Sequence, residues 1–313
     1  MATWHLRWQE EVPTGVRGSI ISIGNFDGLH LGHQSLLRRL RAHAQRRQVP
    51  ATVITFDPHP RTLLQPETTE PLLTTLPERI RRIVALGIDH VVVLQTEWSL
   101  LELKPEQFLQ EVVRNRFAAQ GLVEGPSFTF GRGRRGNAEL LVHWCVRHGL
   151  LVDVVPPVVD DGEIVCSSRI RRALLSGDVA CARRWLGRPY AVSGKVGSGA
   201  GRGRDLGFPT ANLMEVTTLT PGEGVYAGAV CWRGQRYPAA VHVGPNPTFD
   251  TQERKLEVFL VGFSGELYGA SLTVQFLQRL RDVRRFHSVE ALCQQIARDL
   301  ELVRGVFDTE NAV

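Results

Sequence analysis

The stretch Gly24-Asn25-Phe26-Asp27-Gly28-Leu29-His30-Leu31-Gly32-His33 lies between an apolar run, Ile20–Ile23, and an amphipathic segment from Gln34 to about Arg47. That order predicts a strand, a glycine-rich turn and a helix N-terminus. Such a junction binds anions, because backbone N–H groups and the positive end of the helix dipole point into the turn. Gly24, Gly28 and Gly32 let the backbone approach a bulky ligand closely. His30 and His33 lie three residues apart and add two imidazoles that donate hydrogen bonds to phosphate oxygens. Both could instead serve only to cap the helix.

Outward from the turn, apolar runs alternate with helical patterns from Ser19 to about Val155. Strands are predicted at Ile20–Ile23, Ala51–Phe56, Val91–Gln95, Leu122–Glu124 and Leu150–Val155. Helices are predicted from Gln34, with Leu36, Leu37, Leu40 and Ala44 on one face, and at Pro77–Leu86, Pro105–Phe117 and Asn137–His148. Alternation of this kind implies a Rossmann-like α/β domain with a parallel sheet covered on both faces, and ligands at the carboxyl ends of the strands. Ser167–Leu175 and Val179–Leu186 read as two short helices. After Gly187-Arg188-Pro189 the helical period disappears. Short apolar runs at Ala191–Val196, Val225–Trp232, Tyr237–Val243, Leu256–Phe263 and Ser271–Leu277 predict a small antiparallel β-barrel, closed by a helix over Val289–Val303. Two domains are therefore expected, residues 1–187 and 188–313.

With 313 residues, 43% hydrophobic and 22% charged, the chain has the composition of an ordinary globular protein with room for two cores. The net charge of +5 comes almost entirely from arginine, since Lys104, Lys195 and Lys255 are the only lysines. Arginine's planar fork suits phosphate. The surplus reads as a solvated surface and does not favour nucleic acid. Cys145, Cys166, Cys181, Cys231 and Cys293 are odd in number and scattered, without zinc-ligand spacing. No signal-peptide pattern and no apolar run of about 18 residues is present, so no membrane partner and a cytoplasmic location are expected. No oligomeric state is read from the sequence.

The turn resembles the His-x-Gly-His signature of the nucleotidyltransferase superfamily. With Asn25-Phe26-Asp27 before it and Thr55-Phe56-Asp57-Pro58-His59-Pro60 at the next strand end, it resembles the adenylyltransferase half of bifunctional riboflavin kinase/FMN adenylyltransferases, the prokaryotic-type FAD synthetases. Val165-Cys166-Ser167-Ser168-Arg169-Ile170-Arg171 is similar to that family's Ile-Ser-Ser-Thr-x-Ile-Arg block, with Cys166 and Ser168 as size-preserving departures. Gly125-Pro126-Ser127-Phe128-Thr129-Phe130-Gly131 departs more, because Ser127 stands where the family has an amide or carboxylate.

The second half carries its own blocks. Gly194 to Asn212, ending Gly207-Phe208-Pro209-Thr210-Ala211-Asn212, resembles the riboflavin kinase ATP loop. Asn246-Pro247-Thr248-Phe249, Lys255-Leu256-Glu257-Val258 and Leu280-Arg281 with Phe286 match later kinase blocks, although Phe259 stands where the family has a histidine.

The resemblance implies phosphorylation of riboflavin to FMN and adenylylation of FMN to FAD, with ATP, riboflavin and FMN as substrates and Mg²⁺ as cofactor. It implies Glu257 as the base of the kinase step, and His30, His33 and Arg171 as catalytic for adenylyl transfer. Nucleotide and phosphate would meet Gly24, Asn25, Phe26, Asp27, Gly28, Gly32, Ser167, Ser168, Gly194, Gly199, Gly207 and Pro209. Flavin would meet Asp57, His59, Ser127, Asn246, Arg281 and Phe286. Thr210 and Asn212 would hold Mg²⁺, because they alternate on an extended segment and offer hard oxygens. Two alternatives stay open at this point: a riboflavin kinase whose first domain is weakened, motivated by Ser127 and Cys166, and a non-enzymatic nucleotide- or RNA-binding regulator.

Overall fold

A computed structural model describes residues 2–68, 70–198, 202–246 and 251–311. Contacts divide the chain into two compact units, Met1–Glu70 with Thr74–Cys166, and Pro71–Leu73 with Ser167–Val313.

The first unit holds a six-stranded, wholly parallel sheet: β1 (Ala2–Leu6), β2 (Ile20–Ile23), β3 (Ala51–Asp57), β4 (His90–Gln95), β5 (Gly121–Glu124) and β6 (Leu151–Val154), in the order β1-β4-β3-β2-β5-β6. Alternate residues feed two cores. Ile20, Val53, Val91 and Val123 pack on one face with Leu36, Leu37, Leu40 and Ala44 of α1 (Leu31–Arg47). Ile21, Ile54, Val92 and Leu122 pack on the other. The order reverses at β2, which has β3 on one side and β5 on the other. That switch point is where open α/β sheets bind ligands, and Gly24 follows β2 at its carboxyl end.

The remaining helices are α2 (Pro60–Leu64), α3 (Leu76–Ala85), α4 (Trp98–Leu101), α5 (Pro105–Phe108) and α6 (Ala138–Arg147). The predicted helix over Pro105–Phe117 begins as α5 and continues as a π-helical stretch, Leu109–Arg116. Several short elements were not predicted, among them β1, β7 and β8. β1 is an edge strand whose three middle residues are exposed, so it lacks an apolar run. β7 (Val159–Asp160) and β8 (Glu163–Ile164) form a ribbon across Asp161-Gly162. Both turn residues have positive φ (50° and 77°), as a tight primed hairpin requires.

The second unit begins with α7 (Ser167–Leu175) and α8 (Val179–Leu186). A closed antiparallel barrel follows: β9 (Tyr190–Gly197), β10 (Ala211–Met214), β11 (Gly224–Trp232), β12 (Gln235–Asn246), β13 (Thr251–Leu260) and β14 (Ser271–Arg281), in the order β10-β13-β12-β11-β14-β9. A single turn, α9 (Arg202–Asp205), lies in the glycine loop. Val192, Tyr226, Val241, Val258 and Phe276 belong to the core that also takes in Ile170, Leu174 and Ala182 of α7 and α8, and Leu73.

The closing helix α10 (Val289–Asn311) extends eight residues beyond the predicted end, because Phe307 continues its buried stripe. Leu300 and Val303 pack on Ala227 and Val261, in a cluster separate from that core. Two ion pairs fix α10 within this unit, Arg183–Glu310 from α8 and a bidentate Arg281–Asp299 from the end of β14. Asp299 is 3% exposed, so removing its carboxylate strands a guanidinium in a largely dry site. Asp299→Ala is expected to cost about 3 kcal/mol of this unit's stability, measured by urea unfolding.

Candidate functional site

The turn after β2 is held in shape by one buried carboxylate. Phe26, Gly28 and Leu29 all have positive φ (50°, 79° and 41°), which folds the chain back toward the sheet. Asp27, 3% exposed, accepts from both the backbone N–H (3.0 Å) and the hydroxyl (3.1 Å) of Thr74. The N–H of Gly28 donates to the same hydroxyl oxygen at 3.0 Å. A turn residue, its neighbour and a loop residue 47 positions away thus form one closed network.

Behind that network lies Arg79 of α3, 2% exposed. Its Nη2 reaches the Thr74 carbonyl at 3.5 Å, and Asp27 and Asp57 are the charges that favour its cation. Its Nε has no hydrogen-bond partner among the described residues.

His30 caps α1. Its Nδ1 accepts from the His33 N–H at 3.3 Å, which leaves the ring hydrogen of the neutral form on Nε2. The His30 and His33 rings stack at 3.7 Å, and Phe26 meets His33 edge-on at 5.2 Å. A side chain at position 32 would bring a Cβ to 3.1 Å from the His30 ring, so glycine there is a requirement of the stack. Burial, then His30, then Arg79 hold His33 well below the ordinary histidine value of 6.5. His33 is therefore a neutral imidazole at pH 7. Its Nδ1, and the Oδ1 of Asn25, are buried without a protein partner among the described residues. At a phosphate-type turn, a bound ligand is the usual source of such missing partners.

The other expected residues of this unit lie at neighbouring strand ends. Asp57 is exposed at the end of β3, and His59 caps α2 by accepting from the Arg61 N–H at 3.1 Å. Ser127 is exposed just beyond β5, beside the stacked Phe128 and Phe130.

Glu124, the last residue of β5, is 2% exposed and accepts from the Ile23 N–H at 2.6 Å. Burial raises its pKa well above the ordinary carboxylate value, and its bond to Ile23 splices β5 to the end of β2. Thr74, Arg79 and Glu124 were not singled out from the sequence. Each owes its place to a partner distant in sequence, and a charged residue in a helix or at a strand end reads as solvated.

In the second unit, Asn212 on β10 stands directly opposite Glu257 on β13. Opposed residues share a face. Ala211 and Leu213 point the other way, into the core. Asn212 and Glu257 thus share one face, and Thr210 lies just ahead of β10, two positions before Asn212. Among the described residues no cluster of three His, Cys, Asp or Glu side chains forms a self-sufficient metal cage. Hydroxyl and amide oxygens beside one carboxylate are a hard donor set that fits a Mg²⁺ ion whose remaining ligands are phosphates and water.

Gly194 lies within β9, where a Cβ would meet the Met214 carbonyl at 2.7 Å. Gly207 has φ +82°, with Pro209 two residues on, before β10. Gly199 and the side chain of Asn246 lie outside the described residues, as does 247–249 of the same block. Arg281 is engaged by Asp299, and Phe286 lies beneath the guanidinium groups of Arg281 (5.7 Å) and Arg284 (4.8 Å). Ser167 opens α7 with Ser168 exposed beside it. Arg171, 7% exposed, donates through Nε to the Pro71 carbonyl at 3.1 Å.

The FAD synthetase family model matches residues 13–169, and the riboflavin kinase model matches residues 186–307. A bifunctional riboflavin kinase/FMN adenylyltransferase of Pseudomonas fluorescens is 38% identical over 93% of each chain. The chain belongs to this bifunctional family. The protein of the same description from Escherichia coli strain K12 is 33% identical, again over 93% of each chain. A crystal structure described as a macrolide-efflux protein from Streptococcus pneumoniae superposes with a TM-score of 0.86 at 32% identity, covering 97% of this chain and 99% of that one. Efflux is that protein's description alone, and among the described residues here no helix is long and apolar enough to cross a membrane.

The depressed His33 gives a signed prediction. The unfolded chain binds this proton more readily than the folded one between pH 6.5 and the folded-state value, so stability falls as pH drops through that window. Arg79→Met removes one of the three causes. The His33 titration, read by NMR of its ring protons, is expected to move up toward 6.5. Gly32→Ala is expected to lower adenylyl transfer by displacing His30, with the kinase step measured alongside as a reference.

Proposed function

We propose that this chain makes FAD in two steps, each on its own domain, with residues 1–187 transferring AMP and residues 188–313 phosphorylating riboflavin. The observation that carries this is that each half gathers side chains whose chemistry suits phosphate: the His30–His33 stack on a pinned turn, and Asn212 opposite Glu257 on one barrel face, with Thr210 just ahead of β10.

In the kinase step Glu257 accepts the proton of the ribityl primary hydroxyl as that oxygen attacks the γ-phosphorus of ATP, and ADP leaves. Thr210 and Asn212 would hold Mg²⁺, which when bound neutralises phosphate charge. In the second step the FMN phosphate attacks the α-phosphorus of ATP and pyrophosphate leaves. The attacking group is already an anion, so no base is needed. Catalysis there lies in stabilising charge, with His30 and neutral His33 donating to phosphate oxygens in a site that keeps its shape. Ser167, Ser168 and Arg171 are assigned to the same phosphates. Asp57, His59, Ser127, Asn246, Arg281 and Phe286 are assigned to flavin, Arg281 through the Phe286 segment it orders.

The cytoplasm is the compartment we assign, and none of the five cysteines is in a disulfide. The kinase-only reading is not favoured, because the Asp27–Thr74 network is intact and the FAD synthetase model spans β2 to β6 of the first sheet. A nucleotide- or RNA-binding regulator leaves Glu257 and its neighbours without a purpose.

Separate loss of the two activities tests the division of labour. Glu257→Ala is expected to lower FMN formation by about 10²–10⁴-fold while FAD formation from supplied FMN persists. His30→Ala is expected to stop the chain at FMN. Equal loss of both steps in either variant refutes the assignment. Chelation with EDTA is expected to abolish both, with activity restored by Mg²⁺.

A further inference from the structure

One row of side chains crosses the barrel beside Glu257. The pairings Asn212↔Glu257, Glu257↔His242, His242↔Val225 and Val225↔Arg281 run through β10, β13, β12, β11 and β14. Opposed residues share a face, and the alternate positions Val241, Val243, Leu256 and Val258 all point into the core. His242 and Glu257 therefore stand together on the other face, one strand apart.

The imidazole is held in place. His242 Nε2 lies 3.1 Å from the Pro245 carbonyl, which can only accept, so that nitrogen carries the hydrogen. The contact falls where the β12–β13 ladder slips between Gly244 and Asn246, and where Gly244 adopts φ +134°. The side chain thus ties down an irregular strand end three residues from itself. Phe259, the next residue of β13 on the Glu257 face, meets Phe208 edge-on at 6.0 Å. One polar neighbour of the carboxylate is the imidazole from β12.

The charges around the ring are mixed. Burial holds His242 below the ordinary histidine value, and Arg281 on β14 acts in the same direction. Glu257 on β13 and the carbonyls of Pro245 and Gly244 oppose them. The ring is neutral near pH 7, so Glu257 faces a dipole and not a fixed cation that would neutralise a base.

We propose that His242 is a positioning residue for the riboflavin kinase step: anchored to the Pro245 carbonyl, its imidazole fixes the end of β12 and orients Glu257 toward the ribityl hydroxyl. The inference rests on the assignment of Glu257 as the base.

The test uses the full chain and measures FMN formed from riboflavin, ATP and Mg²⁺. His242→Ala is expected to lower kcat by ~10–100-fold, the usual size for a residue that orients a reactive group. KM for riboflavin is expected to stay within about threefold. His242→Gln, whose amide can still donate to the Pro245 carbonyl, is expected to recover most of kcat. In a Glu257→Gln background the His242 substitution is expected to add no further loss, because the two act as one unit.

The proposal is overturned if His242→Ala keeps kcat within about twofold of the parent, if its loss multiplies with that of Glu257→Gln, or if His242→Gln is no more active than His242→Ala. An active Glu257→Gln variant overturns the assignment of the base itself. An inactive Glu257→Gln beside a fully active His242→Ala overturns the present inference alone. Should His242→Ala fold poorly, the near-isosteric Gln variant carries the comparison, with FAD formation from supplied FMN reporting the integrity of the other site.

Discussion

Asp27 is a carboxylate taken out of water in the middle of a turn, and the first site is arranged around the cost of putting it there. An isolated buried charge is expensive. Here its oxygen accepts two hydrogen bonds from Thr74, while Arg79 lies behind the loop that Thr74 begins. The same interactions fix where Gly28 and the start of α1 lie, and so where the two imidazoles stack. Arg79 then acts a second time, as one of the causes that keep His33 uncharged. A neutral, pre-placed donor needs little rearrangement when charge develops on phosphorus, which is how electrostatic catalysis gains its advantage.

The barrel half solves a related problem by different means. Its chemistry is not in the barrel interior, which is filled with Val, Tyr and Phe side chains. The residues we assign to it lie on the opposite face, where alternation along β10 and β13 presents Asn212 and Glu257 while their neighbours build the core. One set of strands thus supplies both the stability and the site. The Arg281–Asp299 pair, with Phe286 stacked on the same guanidinium, binds the end of β14 and the start of the following segment to α10.

Much of this was legible in the sequence where the determining pattern is local. The β2–turn–α1 unit, the buried face Leu36, Leu37, Leu40 and Ala44, and the five long barrel strands follow from periodicity and glycine placement. The motif blocks marked His30, His33, Glu257, Thr210 and Asn212 as residues to examine. What escaped were relations between distant positions. Thr74 and Arg79 meet Asp27 only through the packing of α3. Glu124 has the composition of a solvated strand end, and a missing ladder bond at Ile23 makes it a buried acid. His242 faces Glu257 only once the β12–β13 register is known. β1 escaped for another reason, since an edge strand with exposed middle residues owes its form to its neighbour β4 and not to its own pattern.

Leu73 and the pair α7–α8 lie within one core with the barrel, although Leu73 precedes its first strand by 117 residues. The barrel unit is therefore discontinuous in sequence, assembled from a three-residue piece and a long C-terminal stretch. A fragment starting at the change of composition near Tyr190 would expose Val192, Tyr226 and Phe276 on the side where Leu73, Ile170, Leu174 and Ala182 now cover them. In this chain, gene fission at that point would leave the descendant kinase needing a new cover for its apolar wall.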